Sequence, residues 1–161
     1  MYNKYGGDDM CISESLKKYL KDSVTITGNS FYITNLSNVL FFTSNVNEED
    51  LISPVSKELL EHLLDFSNNI MDIDVSYYFA NEKNRVIPIF EDNSLDIDWN
   101  SQIIYPIYID DRLFGSLIMT SYHKTFTNKH LTMIETTVQF TEKFIIKYMN
   151  ETKKGVNDIA K

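Results

Sequence analysis

Side chains able to do chemistry are sparse in this chain. His62, His123 and His130 are its three histidines, and Cys11 is its single cysteine. Nucleophilic catalysis needs a nucleophile, a base within hydrogen-bond reach, and a third group that orients the base. No Gly-x-Ser-x-Gly elbow raises a serine here, His62 falls inside a leucine-rich helical pattern, and His123 and His130 flank the loop before the last helix. Surface and helix-cap positions therefore account for all three. Cys11 has no second cysteine to resolve it, and the next basic residue downstream is Lys17. Asp92, Asp96 and Asp98 are the densest carboxylates, yet a calcium loop of EF-hand type needs a glycine at its sharp turn and a closing bidentate Glu. Phosphate binding has neither a glycine-rich loop nor its lysine. The residues predict no catalytic group, no metal and no cofactor.

Charge narrows the partners. The chain has 161 residues with a formal net charge of −8. Between Glu48 and Asp111, 15 acidic residues face only Lys57, Lys83 and Arg85. Nucleic-acid and anionic-membrane surfaces rest on clustered Lys and Arg, so neither partner is expected. Met1 to Asp9 is too polar for a signal peptide, and no apolar run nears the roughly 20 residues of a membrane span. A soluble cytoplasmic protein of one domain is the expectation.

The elements that must position any site follow from periodicity. Ile12, Leu16, Tyr19, Ser23 and Ile26 recur at helical spacing, with Gly28-Asn29 as a stop. A rival reading pairs Val24–Thr27 with Phe31–Thr34 as a hairpin around the same Gly-Asn. Phe31–Thr34 and Val39–Thr43 read as strands across a four-residue turn. Ser53-Pro54 reads as the cap and first position of a short helix carrying Leu59, Leu60, Leu63 and Leu64. Val75–Ala80 and Val86–Phe90 read as strands, followed by an acidic loop. Ile103–Ile109 and Leu113–Ser121 pair across Asp110-Asp111-Arg112, with Gly115 admitting a close neighbour. The last helix starts at its cap Thr127 and runs to about Glu151.

That helix has two apolar stripes. Leu131, Ile134, Val138, Ile145 and Tyr148 form one; Met133, Phe140 and Phe144 form the other, about 100° away. Two stripes call for two neighbours. The first is expected to be the contact of a homodimer through terminal helices, with burial of both stripes inside one chain as the alternative.

Ile104-Tyr105-Pro106-Ile107-Tyr108-Ile109-Asp110-Asp111-Arg112-Leu113-Phe114-Gly115-Ser116-Leu117 resembles the late hairpin of GAF domains. Phe126-Thr127, then Leu131, Ile134 and Glu135, resembles the start of their closing helix. With Ser15–Ile26, Tyr32–Ser44 and Ile52–Leu59 added in order, the chain resembles more closely the C-terminal GAF-like domain of stage V sporulation protein T, over about residues 12–150. The resemblance makes residues 12–26 helix. It implies an α+β, GAF-like fold, an antiparallel sheet of about six strands with N- and C-terminal helices on one side. Residues 1–10 would then be a flexible leader, 11–151 the domain and 152–161 a frayed tail. The sporulation regulator has a DNA-binding domain before its GAF part; the ten or so residues here are too few for one, so no direct nucleic acid binding is carried over.

GAF domains bind ligands between the sheet and the segments covering one face, here roughly 45–75 and 91–100. Tyr78, Phe90, Trp99 and Tyr105 are the lining expected by that resemblance, with core filling as the plain alternative. GAF-type methionine sulfoxide reductases use several cysteines, so an enzyme is not expected. The function expected is a non-catalytic regulatory sensor, with a small-molecule effector or a related regulator as partner. A pure dimerisation scaffold is the alternative.

Overall fold

The computed structural model describes residues 14–27, 29–43, 48–49, 53–68, 77–92, 100–121 and 125–160. Its elements are helix α1 (Glu14–Thr27), strands β1 (Ser30–Asn35), β2 (Asn38–Thr43), β3 (Glu48–Glu49) and β4 (Ser53–Pro54), helix α2 (Lys57–Asn68), strand β5 (Tyr78–Ala80), a 3-10 turn (Lys83–Arg85), strands β6 (Ser101–Ile109) and β7 (Arg112–Ser121), and helix α3 (Asn128–Ala160). The sheet runs β3-β2-β1-β7-β6-β5, with β4 also on β2, and every pairing is antiparallel.

The β6–β7 hairpin is the spine of the sheet. Two residues turn it: Asp110 and Asp111 have φ of 52° and 64°, the left-handed pair of a tight hairpin turn. Aspartate tolerates that region better than most side chains. Gly115 lies opposite Asn35 of β1, where a Cβ would stand 1.9 Å from the Thr34 carbonyl oxygen. Only glycine fits.

Alternate strand residues feed two cores, because side chains along a strand point to opposite faces. On one face Phe31, Ile33, Phe41, Ile103, Ile107, Leu117 and Met119 meet Leu16 and Leu20 of α1 and Ile134, Val138 and Ile145 of α3. On the other, Tyr32, Val39, Ile104 and Ile118 meet Val55, Leu59 and Leu63 at α2, with Ile87, Ile89 and Phe90. Both terminal helices thus share one side, as expected.

The first α3 stripe is used internally. Ile134, Val138 and Ile145 are buried in this chain, so these three are not free for a second copy; Leu131 packs against the same core and stays partly exposed, and the Tyr148 side chain lies outside the described residues. Thr137 and Thr141 complete the stripe, fully buried, each donating its hydroxyl to the carbonyl four residues back (Met133, 2.9 Å; Thr137, 2.8 Å). Of the second stripe, Phe140 meets Tyr19 of α1 at 5.4 Å between ring centres and still stays 44 % exposed.

Three boundaries differ from expectation. Ser53-Pro54 pairs with β2, and Ser56 caps α2 instead, its hydroxyl accepting from Leu59 N–H at 2.9 Å. Val86–Phe90 is not a strand: Pro88 contributes no backbone donor, and only Phe90 makes a β-bridge, to Val55. Finally, α3 continues to Ala160, through most of the segment read as a tail. Cys11, His123 and Trp99 lie outside the described residues.

Candidate functional site

A row of polar side chains crosses the α2 face at the start of β6. Ser30 of β1 stands opposite Thr120 of β7, and Thr120 stands opposite Gln102 of β6. Strand alternation puts all three on the face of Tyr32, Ile118 and Ile104. All are buried, Thr120 and Gln102 to 0 % exposure. The next row towards the hairpin is apolar, Tyr32–Ile118–Ile104–Tyr78, and the one after is polar again, with Thr34 and Ser116 sharing a hydroxyl bond of 2.8 Å.

Satisfaction differs sharply within the first row. The Gln102 carboxamide accepts from Ile87 N–H and donates to Ile87 C=O, both at 2.9 Å. It does for Ile87 what a neighbouring strand would do. Thr120 Oγ1 finds no hydrogen-bond partner among the described residues. A buried hydroxyl left that way costs about 1–3 kcal/mol.

Of the four aromatic residues expected to line a pocket, Tyr78 and Phe90 lie on this face. Phe90 is buried edge-on to Tyr32 at 6.0 Å between ring centres. Tyr78 is half-buried against His62 at 4.9 Å and donates its hydroxyl to the Arg85 carbonyl at 2.5 Å. Tyr105 is on the opposite face: it stacks on Tyr77 at 5.9 Å and donates to Glu135 of α3 at 3.3 Å. Strand parity, three residues from Gln102, separates it from the other two. Beside it, the Glu142 carboxylate accepts from Tyr108 N–H at 3.3 Å. Burial pushes the Glu142 carboxyl above its ordinary range, a shift the Tyr108 bond opposes.

Sequence reasoning missed Ser30, Gln102 and Thr120. The available signal was a polar residue at the edge of each of three β-branched or aromatic runs: Ser30 just before Phe31, Gln102 just before Ile103 and Thr120 near the end of Leu113–Ser121.

The remaining chemistry is dispersed. His130 accepts from Thr127 N–H at 3.0 Å through Nδ1, closing the α3 cap. Asn81 brackets the Phe126 peptide, accepting at 2.8 Å and donating at 2.9 Å. Among the described residues no group of three His, Cys, Asp or Glu is placed to hold a metal ion, and no helix is long and apolar enough to cross a membrane. A cleft of about 520 Å³ opens at the other end of β6, lined by Ile109, Asp110, Arg112, Leu113 and Phe114. Tyr78, Phe90 and Tyr105 do not border it.

No family model and no curated protein matches this chain. Solved structures do. The blue-light-absorbing form of the Thermosynechococcus elongatus PixJ GAF domain superposes with a TM-score of 0.58 at 11 % identity, over 95 % of this chain and 92 % of that one. The cofactor-binding GAF domain of the nutrient sensor CodY from Clostridium difficile gives 0.55 at 14 %, over 78 % and 80 %. Free methionine-R-sulfoxide reductase from Thermoplasma acidophilum gives 0.54 at 12 %, over 84 % and 90 %. The fold is that of GAF domains.

These neighbours correct one expectation. The single cysteine argues against an enzyme, but reductases share the fold, so the fold does not mark a non-enzyme. Nor do the matches single out the sporulation regulator, since a blue-light-absorbing GAF domain, the GAF domain of a nutrient sensor and a reductase superpose alike.

Proposed function

We propose that this chain is a regulatory sensor domain that takes a small molecule on the α2 face of its sheet. One observation carries the reading: the Thr120 hydroxyl, fully buried between Ser30 and Gln102, without a partner among the described residues. A ligand supplying that bond would relieve the desolvation cost. Tyr78 and Phe90 would stand beside it as apolar wall. That one GAF neighbour belongs to a nutrient sensor and another absorbs blue light supports the general role.

The finer setting rests on the resemblance drawn from the sequence. It is sporulation control, in the manner of the GAF-like part of a stage V regulator, as a homodimer or beside a related regulator that carries the DNA-binding part. The test is thermal melting of the protein against a panel of small metabolites. A true ligand at about a hundred times its Kd stabilises by about 2.7 kcal/mol, a rise of several degrees for a chain of this size. Thr120→Val abolishes that rise.

A second reading, a dimerisation scaffold that takes no ligand, is favoured by Phe140 and Ile146 of α3, which stay 44 % and 38 % exposed. Light scattering separates the two. A dimer dissociated by Phe140→Glu, with melting indifferent to every metabolite, selects the scaffold.

A further inference from the structure

On the side of the sheet away from α2, helix α3 lays two carboxylates against the outer part of β6. Glu135 accepts from the Tyr105 hydroxyl at 3.3 Å, and Glu142 accepts from Tyr108 N–H at 3.3 Å. Both donors are neutral. No Lys or Arg stands three or four residues from either glutamate along α3, the spacing at which a helical ion pair forms. Neither glutamate makes an ion pair among the described residues. Burial raises the Glu142 carboxyl, and a cation beside it would favour the charged form.

One end of this acidic row is aromatic. Tyr77, 37 % exposed, lies flat on Tyr105, with ring centres 5.9 Å apart and planes 9° from parallel. A guanidinium suits both features, because it stacks on an aromatic face and meets a carboxylate with two parallel N–H groups. A compact ammonium does neither as well. Spacing narrows the partner further. Glu135 and Glu142 stand two helical turns apart, about 10 Å, and Tyr105 and Tyr108 are about 10 Å apart along the strand. An extended chain of polyproline type returns to the same side every third residue, after about 9 Å.

We propose that the α3–β6 seam docks an extended segment of a partner protein carrying two arginines three residues apart, one stacked on Tyr77 and paired with Glu135, the other paired with Glu142. Charge complementarity selects this occupant: the seam offers carboxylates without a cation, and the whole chain carries a formal net charge of −8. A single exposed ion pair contributes little, so the ring and the second carboxylate are what make the seam selective. It lies across the sheet from the α2-face site and does not depend on it.

Fluorescence polarisation on the full chain tests this, with a short fluorescein-labelled peptide of serines holding two arginines three residues apart. Binding should saturate below about 1 mM. Tyr77→Ala, and Glu135→Gln, which keeps an acceptor for Tyr105, should each weaken it about threefold or more, the scale of an exposed cation–π contact or ion pair. Tyr77→Phe keeps the ring and should bind as the unmodified chain does. So should Glu58→Gln, which removes an exposed carboxylate on α2. The same peptide with lysines for arginines should bind about threefold more weakly. No saturation at about 1 mM, or binding that Tyr77→Ala and Glu135→Gln leave unmoved, overturns the seam as a docking site. A loss just as large with Glu58→Gln reduces the effect to general attraction by an acidic chain and overturns it too. Equal binding of the lysine peptide overturns arginine as the group recognised.

Discussion

Gly115 of β7 lies so close to Thr34 of β1 that a single added Cβ would reach to 1.9 Å from the Thr34 carbonyl oxygen. The obstacle is backbone, not the end of a flexible side chain, so the two strands must part to admit it. Gly115→Ala should lower stability by about 3 kcal/mol or more, the range of severe overpacking. Urea unfolding followed by circular dichroism reads this directly. A loss below about 1 kcal/mol would mean that β1 and β7 are not this close.

The turn at Asp110-Asp111 predicts the opposite sign. Both residues hold positive φ, which glycine adopts freely and aspartate does not. Asp111→Gly should raise stability by about 0.5–1 kcal/mol, measured by the same unfolding midpoint.

Thr120→Val separates stability from sensing. Valine has nearly the shape of threonine and removes the hydroxyl that lacks a partner among the described residues. Stability should be unchanged or higher by about 1 kcal/mol, while any metabolite-induced rise in melting temperature disappears. A clear loss of stability would show that the hydroxyl is satisfied in the folded chain.

Glu142 sets a pH dependence. Its folded-state proton affinity is raised by burial, so the folded chain holds the proton more tightly than the unfolded one. Its contribution to stability is then fully present below the ordinary glutamate value of 4.5 and is lost as pH rises through the raised value. Glu142→Gln, which keeps an acceptor for Tyr108 N–H, should flatten that part of the stability–pH curve and stabilise the chain at neutral pH. Melting temperatures measured from pH 4 to 8 check it. A curve unchanged by the substitution would contradict the assignment.

At the start of α3, His130 fills the place that Glu usually holds in a capping box, accepting Thr127 N–H. His130→Glu should hold or improve stability by a few tenths of a kcal/mol, since a carboxylate also suits the positive helix end. His130→Lys, a cation with no acceptor, should cost about 1 kcal/mol. Equal stabilities for the two variants would remove the cap.

How far the sequence could be read depends on burial geometry. The β6–β7 hairpin and the apolar stripe of α3 show as long runs at period two and at three- and four-residue steps, and both were readable, as was the need for glycine at 115, but what the stripe packs on was not: Ile134, Val138 and Ile145 face this chain's own sheet. The polar row was not. A sheet covered by helices on both faces buries the alternate positions too, so Ser30, Thr120 and Gln102 look like solvent-facing residues in the sequence and are core in the fold. The 86–90 segment misled for a related reason: Val-Ile-Pro-Ile-Phe has the composition of a strand, but a side chain, Gln102, supplies its partner bonds in place of a ladder. Thr137 and Thr141 hid in the same way, bonding back to their own helix while filling the core.

Native mass spectrometry of the protein purified from its own host bears most directly on the α2-face site. A small molecule should be retained by the folded chain and lost from the equally stable Thr120→Val variant. Bare chains in both spectra, with no metabolite raising the melting temperature of either, would contradict it.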